Sequence, residues 1–375
     1  MNNIFKDIFS KLGSLKPADT GSALGIDIGS SAIKIVELKK KGGKIVLETY
    51  GAISLGPYAN TDLGRVTNLP VDKVVEALKE VLKQSSVSTT SSAFSIPVQS
   101  SLIFTLALPP QVKEGDIASV VSIEARKYIP LPITEVTLDY FMLPKREMSF
   151  EEANATVLPD ASQEKKEVLA VAIQNEAISR YRSIVSECGL EASFFEIEVF
   201  SYIRSNFEHE LSLVLVMDLG ASSTKLTLVE FGMVKGHHTI NRGGAEISNS
   251  IAQSLGIPFP QAEEMKKEYG LFENPLKQNI ADIIKVHTDY IFSEANSVLL
   301  GYEKKYDRTV TKVILTGGGS LMKGFKEIAI NNFRAELEIG QPFSKTNAPE
   351  FLNKVLESIG PEFAVSIGLA LRKLQ

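Results

Sequence analysis

The sequence predicts an α/β protein built from two related lobes with a cleft between them. Two segments, 24–31 and 216–223, share one pattern: a short apolar run ends on an Asp, a Gly stands two positions on, and small hydroxyl residues follow. An extended pattern resumes after each turn, so each segment reads as a β-hairpin. The copies lie about 190 residues apart, too far for a solenoid repeat. Strands and helices alternate in both halves, which favours a duplicated α/β fold.

Length and composition limit the class of protein. A chain of 375 residues is too long for one ordinary core. Its net charge of −5 and lack of a basic stripe argue against nucleic acid as a partner. A single cysteine, Cys188, excludes an internal disulfide and fits a reducing compartment. No apolar run approaches the ~20 residues of a transmembrane helix, so we expect a cytoplasmic protein.

The first 19 residues predict an amphipathic helix. Apolar residues alternate there with charged ones at helical spacing, which also argues against a secretory signal. Such a helix could lie on a membrane surface or a partner, pack on its own domain, or fray. The apolar positions are Ile4, Phe5, Ile8, Phe9 and Leu12.

The rest of the first half predicts a small domain inserted into the first lobe. Strand 44–50 and amphipathic helix 71–84 follow the first hairpin. A block at 91–166 then contains two strands, a helix capped by Asp116, a third strand and a polar stretch without periodicity. Strand and helix patterns of the first lobe resume at 167, with a connecting helix at 198–207.

The second half repeats the alternation and adds a glycine-rich turn. The second hairpin leads to a strand, a helix at 246–255, a charged helix at 261–269 and a long helix at 278–305. A buried strand at 313–316 ends on Gly317, Gly318 and Gly319 before further helices. A backbone without side chains can lie along an adenine ring or a ribose, although a tight strand–helix turn needs glycine equally.

Both hairpin turns have the chemistry of a phosphate site. Gly29 and Gly220 let main-chain N–H groups converge on an anion. Asp27 and Asp218 are placed to hold the waters of a Mg²⁺ ion that bridges two phosphates. The plainer alternative is two buried strands joined by polar turns. The hydroxyl donors are Ser30, Ser31, Ser222 and Ser223.

Other familiar sites are absent from the sequence. It has neither a G-x-x-x-x-G-K-[ST] loop nor a G-x-G-x-x-G fingerprint, so the usual nucleotide-binding folds are not supported. Its four histidines lack metal-site spacing, and no G-x-S-x-G elbow occurs.

The motifs resemble those of the actin superfamily, which has a duplicated, ribonuclease H-like two-lobe fold. The likeness is carried by Asp27-Ile28-Gly29-Ser30-Ser31, by Asp218-Leu219-Gly220 and by Thr316-Gly317-Gly318-Gly319. Within that superfamily, segments 23–31, 124–130 with Asp139-Tyr140, and 262–266 resemble the PilM family of type IV pilus assembly proteins. The likeness spans about residues 20–375.

The resemblance implies a two-lobed adaptor that binds ATP or ADP with Mg²⁺ on the cytoplasmic face of the inner membrane. PilM proteins bind the cytoplasmic N-terminal tail of PilN, which joins PilO in the membrane and connects to the pilus motor. The implied division is an N-terminal segment 1–19, a first lobe 20–90 and 167–210, an inserted subdomain 91–166, a second lobe 211–260 and 304–375, and a helical subdomain 261–303. A groove on the inserted subdomain is the expected partner site.

The resemblance also implies roles for individual residues. Asp27 and Asp218 would hold the metal, Glu198 would orient a water, and Glu263 and Lys266 would lie near the ribose or base. Gly317, Gly318 and Gly319 would lie along the adenosine. The phosphates would meet Gly29, Ser30, Ser31 and Lys34 from one lobe, and Gly220, Ser222, Ser223 and Thr224 from the other.

Three candidate functions stay open at this point. The first is the ATP-binding adaptor, which we expect to be a slow ATPase at most, because Ala221 replaces one hydroxyl donor and the helix dipole explains Glu198 equally well. A small-molecule kinase of the same fold needs a carboxylate base, for which Asp116 or Asp139 would serve. An adaptor resembling the cell-division protein FtsA is the third, although the predicted last helix ends the sequence at Gln375. Self-association is undecided.

Overall fold

A computed structural model describes residues 21–143, 166–208, 212–272 and 278–375. The amphipathic helix expected within 1–19 and most of the polar stretch expected at 144–166 lie outside the described residues. The described part begins with an antiparallel three-stranded meander, followed by a helix and a strand that pairs with the first strand in parallel. These elements are β1 (Ser22–Ile28), β2 (Ala32–Lys41), β3 (Lys44–Ser54), α1 (Val71–Gln84) and β4 (Ser91–Ile96).

A separate antiparallel sheet with one helix interrupts the first lobe. Its strand order is β5-β7-β6, and its own small core separates it from the main sheet. Asp116 does not cap the helix with its side chain, because a 3₁₀ turn precedes the helix and already gives Asp116 a helical backbone. The elements are β5 (Ser101–Leu108), α2 (Ile117–Ala125), β6 (Val136–Met142) and β7 (Lys166–Gln174).

The strand pairing shows that both ends of the insertion differ from the bounds expected at 91–166. Strand β4 hydrogen-bonds to β1 and belongs to the main sheet, while β7 is the central strand of the inserted sheet. The insertion therefore runs from β5 to β7. The sequence analysis placed β4 in the insertion and β7 in the first lobe, because a buried apolar strand has the same pattern in either sheet.

The first lobe closes with two helices and one strand. These are α3 (Asn175–Glu187), β8 (Glu191–Ile197) and α4 (Glu198–Asn206). The main sheet has the order β3-β2-β1-β4-β8, with β1, β4 and β8 parallel. All nine residues of α4 are buried, as expected for a helix that passes between two packed lobes.

The second half builds a sheet of the same design. Its order is β11-β10-β9-β12-β13, again an antiparallel meander joined to two parallel strands. This equivalence confirms the duplication predicted from the two hairpins. The elements are β9 (Val214–Leu219), β10 (Thr224–Glu230), β11 (Met233–Ile240), α5 (Gly244–Leu255), α6 (Phe259–Tyr269), α7 (Gln278–Tyr306), β12 (Lys312–Thr316), α8 (Phe325–Asn332), β13 (Glu336–Ile339), α9 (Asn353–Ile359) and α10 (Ala364–Leu374).

Helix α10 lies on the first sheet, although the sequence placed 304–375 in the second lobe. It packs on β1 and α4, and two glycines allow the close approach. A Cβ on Gly25 would lie 1.9 Å from the carbonyl oxygen of Ser366, and a Cβ on Gly368 would lie 1.9 Å from that of Ser201. The last helix therefore ties the end of the chain to its beginning.

Candidate functional site

Both hairpin turns open into one cavity of about 610 Å³ between the lobes. Asp27 and Asp218, far apart in sequence, line the same space. The predicted residues that line it are Asp27, Gly29, Ser30, Ser31, Lys34, Glu198, Asp218, Gly220, Ser222, Ser223, Gly317 and Gly318.

The two hairpins repeat each other in hydrogen bonding and register. The main-chain N–H of Gly29 donates to the carbonyl oxygen of Ala32, and that of Gly220 donates to Ser223, each at 3.0 Å. In each hairpin the Asp stands opposite a Lys on the neighbouring strand: Asp27 pairs with Lys34, and Asp218 pairs with Lys225. Since each turn closes directly after its Asp, both lobes present a carboxylate and a tight polar turn to the cleft.

A buried charge cluster lies at the base of the cavity. The Lys225 ammonium donates to Glu198 Oε2 at 2.7 Å and to Asp218 Oδ2 at 3.0 Å. Glu198 Oε1 accepts the main-chain N–H of Val98 at 2.8 Å, which ties the cluster to the first lobe. Burial alone lowers the pKa of Lys225, but the carboxylates of Asp218 and Glu198 outweigh it and raise that pKa above its usual value. Lys225 is therefore a permanent cation.

Sequence reasoning did not place Lys225 in the site. The available signal was its repeat at the same offset from the Asp as Lys34 in the first hairpin. The offset puts each Lys beside its Asp across the strand pair, where opposite charges attract. The offset could not predict the second partner of Lys225, Glu198, because Glu198 belongs to the helix between the lobes.

Asp27 is a desolvated carboxylate with one hydroxyl partner. Ser95 Oγ donates to Asp27 Oδ1 at 2.7 Å. Burial raises the pKa of Asp27, while Lys34, the Ser95 hydrogen bond and Lys225 oppose the rise. Within the described residues no group of three or more His, Cys, Asp or Glu side chains could hold a metal directly. Two separate carboxylates instead fit a Mg²⁺ ion that keeps its waters and is bound through phosphates.

Gly317 is required by the way its turn covers Asp218. Its φ of +79° is in the left-handed region that favours glycine. A Cβ there would lie 2.3 Å from Asp218 Oδ1 and 2.6 Å from the carbonyl oxygen of Leu219. Gly318 lines the cavity, whereas Gly319 packs against Leu219 and does not. The glycine turn therefore supports the second carboxylate as well as forming part of the wall.

Besides Gly319, three predicted residues lie outside the cavity lining: Thr224, Glu263 and Lys266. The hydroxyl of buried Thr224 donates to the carbonyl oxygen of Arg242 at 2.8 Å. Lys266 donates to the carbonyl oxygen of Gly244 at 2.9 Å and to Glu263 Oε2 at 2.7 Å. Glu263 and Lys266 thus brace the start of α5, and their expected place near a ribose or base is still a prediction.

Helix α5 begins directly on the second turn, which sequence reasoning missed. The main-chain N–H groups of Gly244 and Ala245 donate to the carbonyl oxygens of Gly220 and Ala221, each at 3.0 Å. A Cβ on Gly243 would lie 2.4 Å from the Ala221 carbonyl oxygen. The Gly243-Gly244 pair was the signal, because only small residues permit two backbones to approach so closely.

Comparison with known proteins gives a consistent picture. A family model described as "Type IV pilus assembly protein PilM" matches residues 25–374. The structure resembles a solved PilM–PilN type IV pilus biogenesis complex, with 25% identity, a TM-score of 0.77, and 94% of this chain and 98% of that chain covered. It also resembles the ethanolamine utilization protein EutJ of Carboxydothermus hydrogenoformans in fold, at 15% identity and a TM-score of 0.52, over 98% of this chain and 94% of that one.

Curated relatives are cell-division proteins named FtsA. The protein of Pseudomonas aeruginosa is 25% identical over 217 residues, covering 51% of this chain and 50% of the relative. That of Staphylococcus epidermidis is 23% identical over 374 residues, covering 88% of this chain and 77% of the relative. The chain thus spans about half the length of the Pseudomonas protein and of a Helicobacter pylori FtsA, for which coverage is 45%.

Proposed function

The chain belongs to the PilM family of type IV pilus assembly proteins, and from this we propose that it is a nucleotide-binding adaptor of type IV pilus assembly. The observation that carries the proposal is the pair of matching hairpin turns that face one cavity, each with its own carboxylate. A cleft between two lobes lets a ligand that contacts both lobes favour the closed arrangement over the open one.

The nucleotide is ATP or ADP with Mg²⁺. The turns at Gly29 and Gly220 supply N–H and hydroxyl donors for the phosphates, and the Gly317-Gly318 backbone supplies a flat wall for the adenosine. Bound Mg²⁺ would neutralise phosphate charge, and Asp27 and Asp218 would hold its waters. Glu198 is already engaged by Lys225 and the Val98 N–H, so hydrolysis is slow at most.

The partner is the cytoplasmic N-terminal tail of PilN, through which the protein joins the PilN/PilO complex and the pilus motor. A relative of the same fold has been solved in a PilM–PilN complex. On this chain, the inserted subdomain exposes apolar side chains: Ile123 is 59% exposed and Tyr128 50% exposed. Tyr128 stacks on Phe104 at 5.1 Å between ring centroids, which gives a peptide a preformed aromatic surface.

The protein would then act at the inner membrane, on its cytoplasmic face, as a peripheral component. Attachment through PilN requires no membrane segment in this chain. Within the described residues, none of the helices is both long and apolar enough to cross a bilayer.

A kinase of the same fold is the second candidate, and the site gives it less support. Its candidate bases, Asp116 and Asp139, belong to the inserted subdomain and do not line the cleft cavity. Asp116 and Asp139 would therefore not serve as the base for phosphoryl transfer to a metabolite bound in that cavity. A cell-division adaptor resembling FtsA would have the same fold, but the family model that matches residues 25–374 is that of PilM.

Titration of the purified protein with Mg²⁺–ATP tests the nucleotide site. We expect Asp27→Asn and Asp218→Asn each to weaken binding about tenfold or more, because each removes one carboxylate from the hydrated metal. Asp72→Asn, on the exposed face of α1, is the matched control and should bind as the parent does. Absence of binding at millimolar nucleotide would refute the proposed site.

Binding of a PilN N-terminal peptide, with and without ATP, tests the partner. We expect ATP to change the peptide affinity and Ile123→Asp to abolish binding. Ile330→Asp changes an equally exposed isoleucine on the second lobe, 52% exposed, and should leave the peptide affinity intact. A peptide that binds Ile123→Asp normally would place the partner elsewhere.

A further inference from the structure

Residues 61–68, between β3 and α1, form a loop that we call the strap. The strap is fastened to the first turn of the cleft: the main-chain N–H of Thr67 donates to the carbonyl oxygen of Ser30 at 2.8 Å. At the start of the same connection, the N–H of Leu55 donates to the carbonyl oxygen of Ser31 at 2.9 Å. A shift of the turn therefore moves the strap with it.

From this anchor, Arg65 reaches across to the second lobe. Its Nη1 donates to Asn249 Oδ1 on α5 at 3.2 Å, and its guanidinium carbon lies 4.3 Å from the centroid of the Phe259 ring on α6. Asp62 accepts from Arg65 Nε at 2.9 Å and fixes the side chain from within the strap. One side chain thus connects the first turn to both helices at the start of the second lobe's helical layer.

Other residues of the strap also lie against α6 and near the second turn. Gly64 has a φ of +84°, and a Cβ there would be 3.5 Å from Glu263 and 3.7 Å from Phe259, so its backbone lies against α6. Arg65 and Val66 line a second cavity of about 260 Å³, together with Ala221 and Ser222 of the second turn. The strap therefore spans the gap between the two turns.

The contact is suited to breaking and reforming. The Arg65 side chain is 37% exposed, and one hydrogen bond and one ring contact hold it to the second lobe. Contacts of this kind contribute modestly and are not buried charges whose separation would be prohibitive.

We propose that Arg65 is a latch between the lobes: it holds the strap on α5 and α6 and so slows release of the bound nucleotide. This rests on the proposed function, because the cleft must bind a nucleotide for its release to be timed. Arg65 acts as a positioning residue, through the strap and the turn at Ser30 and Ser31. Release requires the strap to leave Asn249 and Phe259.

Dissociation of a fluorescent ATP analogue, measured by stopped flow with Mg²⁺, tests the latch. We expect Arg65→Ala to speed dissociation ~10-fold, and Arg65→Lys to speed it nearly as much, because an ammonium cannot stack flat on the ring while donating to the amide. A direct attraction of Arg65 to the phosphates would instead be preserved in Arg65→Lys. Lys73→Ala, an exposed control on α1, should not alter the rate.

A double-mutant cycle with Asn249→Ala separates the latch from a direct contact. If Arg65 acts through Asn249, the double variant should release nucleotide no faster than Arg65→Ala alone. Additive effects of the two substitutions, or an unchanged dissociation rate in Arg65→Ala, would overturn the latch while leaving nucleotide binding intact.

Hydrogen exchange of the nucleotide-free protein gives a readout independent of the ligand. Arg65→Ala should raise exchange at the Thr67 amide and at the start of α6, and leave the central strand β9 unchanged. If the parent protein binds no nucleotide, the proposed function fails, whereas the lobe contact is judged on exchange alone. Unchanged exchange at Thr67 would refute the contact.

Discussion

Three carboxylates, of which those of Asp218 and Glu198 are buried, lie near the buried ammonium of Lys225 at the base of the cleft. Asp218 and Glu198 share Lys225, while Asp27 has a serine hydroxyl as its direct partner. Burial raises the pKa of Asp27 and of Glu198, while the nearby lysines oppose the rise. A cluster in this condition is stabilised by a cation brought in with a ligand, which is the electrostatic reason for expecting Mg²⁺ there.

Replacing Lys225 tests the cluster directly. We expect Lys225→Met to lower the free energy of unfolding by about 3 kcal/mol at neutral pH, since two buried carboxylates lose their counter-ion. Urea unfolding followed by circular dichroism measures it. The loss should shrink in mild acid, because Glu198, whose pKa burial raises, then takes up a proton and no longer needs the counter-ion.

Lys34→Met is the matched control for that substitution. Lys34 occupies the same hairpin position in the first lobe and forms no ion pair within the described residues. Its replacement should change the free energy of unfolding by less than about 1 kcal/mol. Equal losses for both variants would contradict a special role for the Lys225 cluster.

A second buried ion cluster joins the lobes away from the cleft. Glu196 accepts hydrogen bonds from Nη1 and Nη2 of Arg204 and from Nη1 of Arg372, each at 2.7 Å. Burial alone would raise the pKa of Glu196, but Arg204 and Arg372 outweigh it and lower that pKa to about 2. The cluster links β8, α4 and α10, so it fastens the last helix to the first lobe.

The pH dependence of stability follows from Glu196. A folded pKa of about 2 against an ordinary 4.5 means that the unfolded chain binds the proton more readily. The contribution is complete above pH 4.5 and is lost as the pH falls towards 2; it amounts to about 3 kcal/mol. Glu196→Gln should be less stable at neutral pH and lose less stability on acidification. Glu191→Gln changes an exposed glutamate on the same strand, and the pH dependence of its free energy of unfolding should match that of the parent.

At the scale of elements, the hairpins and turns carry the site. Strands β1 and β9 each place an Asp in the cleft, and the turn after each strand reverses the chain within a few residues. Residue type and spacing within the hairpin therefore decide the geometry of the turn. Helix α1 has the bounds that its apolar spacing predicts, because both its periodicity and its end at Ser85 are local. Assignment of β4 and β7 failed, since sheet membership depends on partners elsewhere in the chain.

Substitution in the glycine turn tests its support of Asp218. Gly317→Ala should lower the free energy of unfolding by about 2 kcal/mol, because the methyl group meets Asp218 Oδ1 and the backbone is in a region that alanine rarely adopts. Thermal unfolding measures the change, and Mg²⁺–ATP affinity should fall with it.

Gly318→Ala provides the comparison for that turn. Its nearest neighbour would be the flexible Glu362 side chain at 3.4 Å, so the loss should stay within about 0.5 kcal/mol. If both alanines were tolerated alike, the tight packing of Gly317 on Asp218 would not be important for stability.

At the scale of the molecule, α10 unites the two halves. It comes from the end of the second half and packs on β1 and α4 of the first, so the first lobe is not built from one continuous stretch of chain. Its cluster of apolar residues includes Ala23 and Val36 from the first hairpin and Phe363 and Ile367 from the last turn and helix. Movements of the lobes must therefore be accommodated around α4 and α10.

A methyl group at Gly25 tests this packing. Gly25→Ala should destabilise the protein by about 3 kcal/mol, because its Cβ would overlap the Ser366 carbonyl oxygen and force α10 outwards. Gly301→Ala, on α7 with open space around it, should instead stabilise by about 1 kcal/mol. Denaturant unfolding of both variants measures the difference, and a neutral Gly25→Ala would contradict the close packing of α10.

The sequence alone determined the duplicated hairpins, the carboxylate and glycine of each turn, and the glycine-rich third turn. These depend on backbone freedom and apolar spacing over a few residues. Only the tertiary structure decided that Lys225 is shared with Glu198, that α10 returns to the first sheet, that β4 and β7 exchange the sheets expected for them, and that Arg65 crosses the cleft. Each of these depends on residues distant in sequence, whose meeting is set by packing of whole elements rather than by any local pattern.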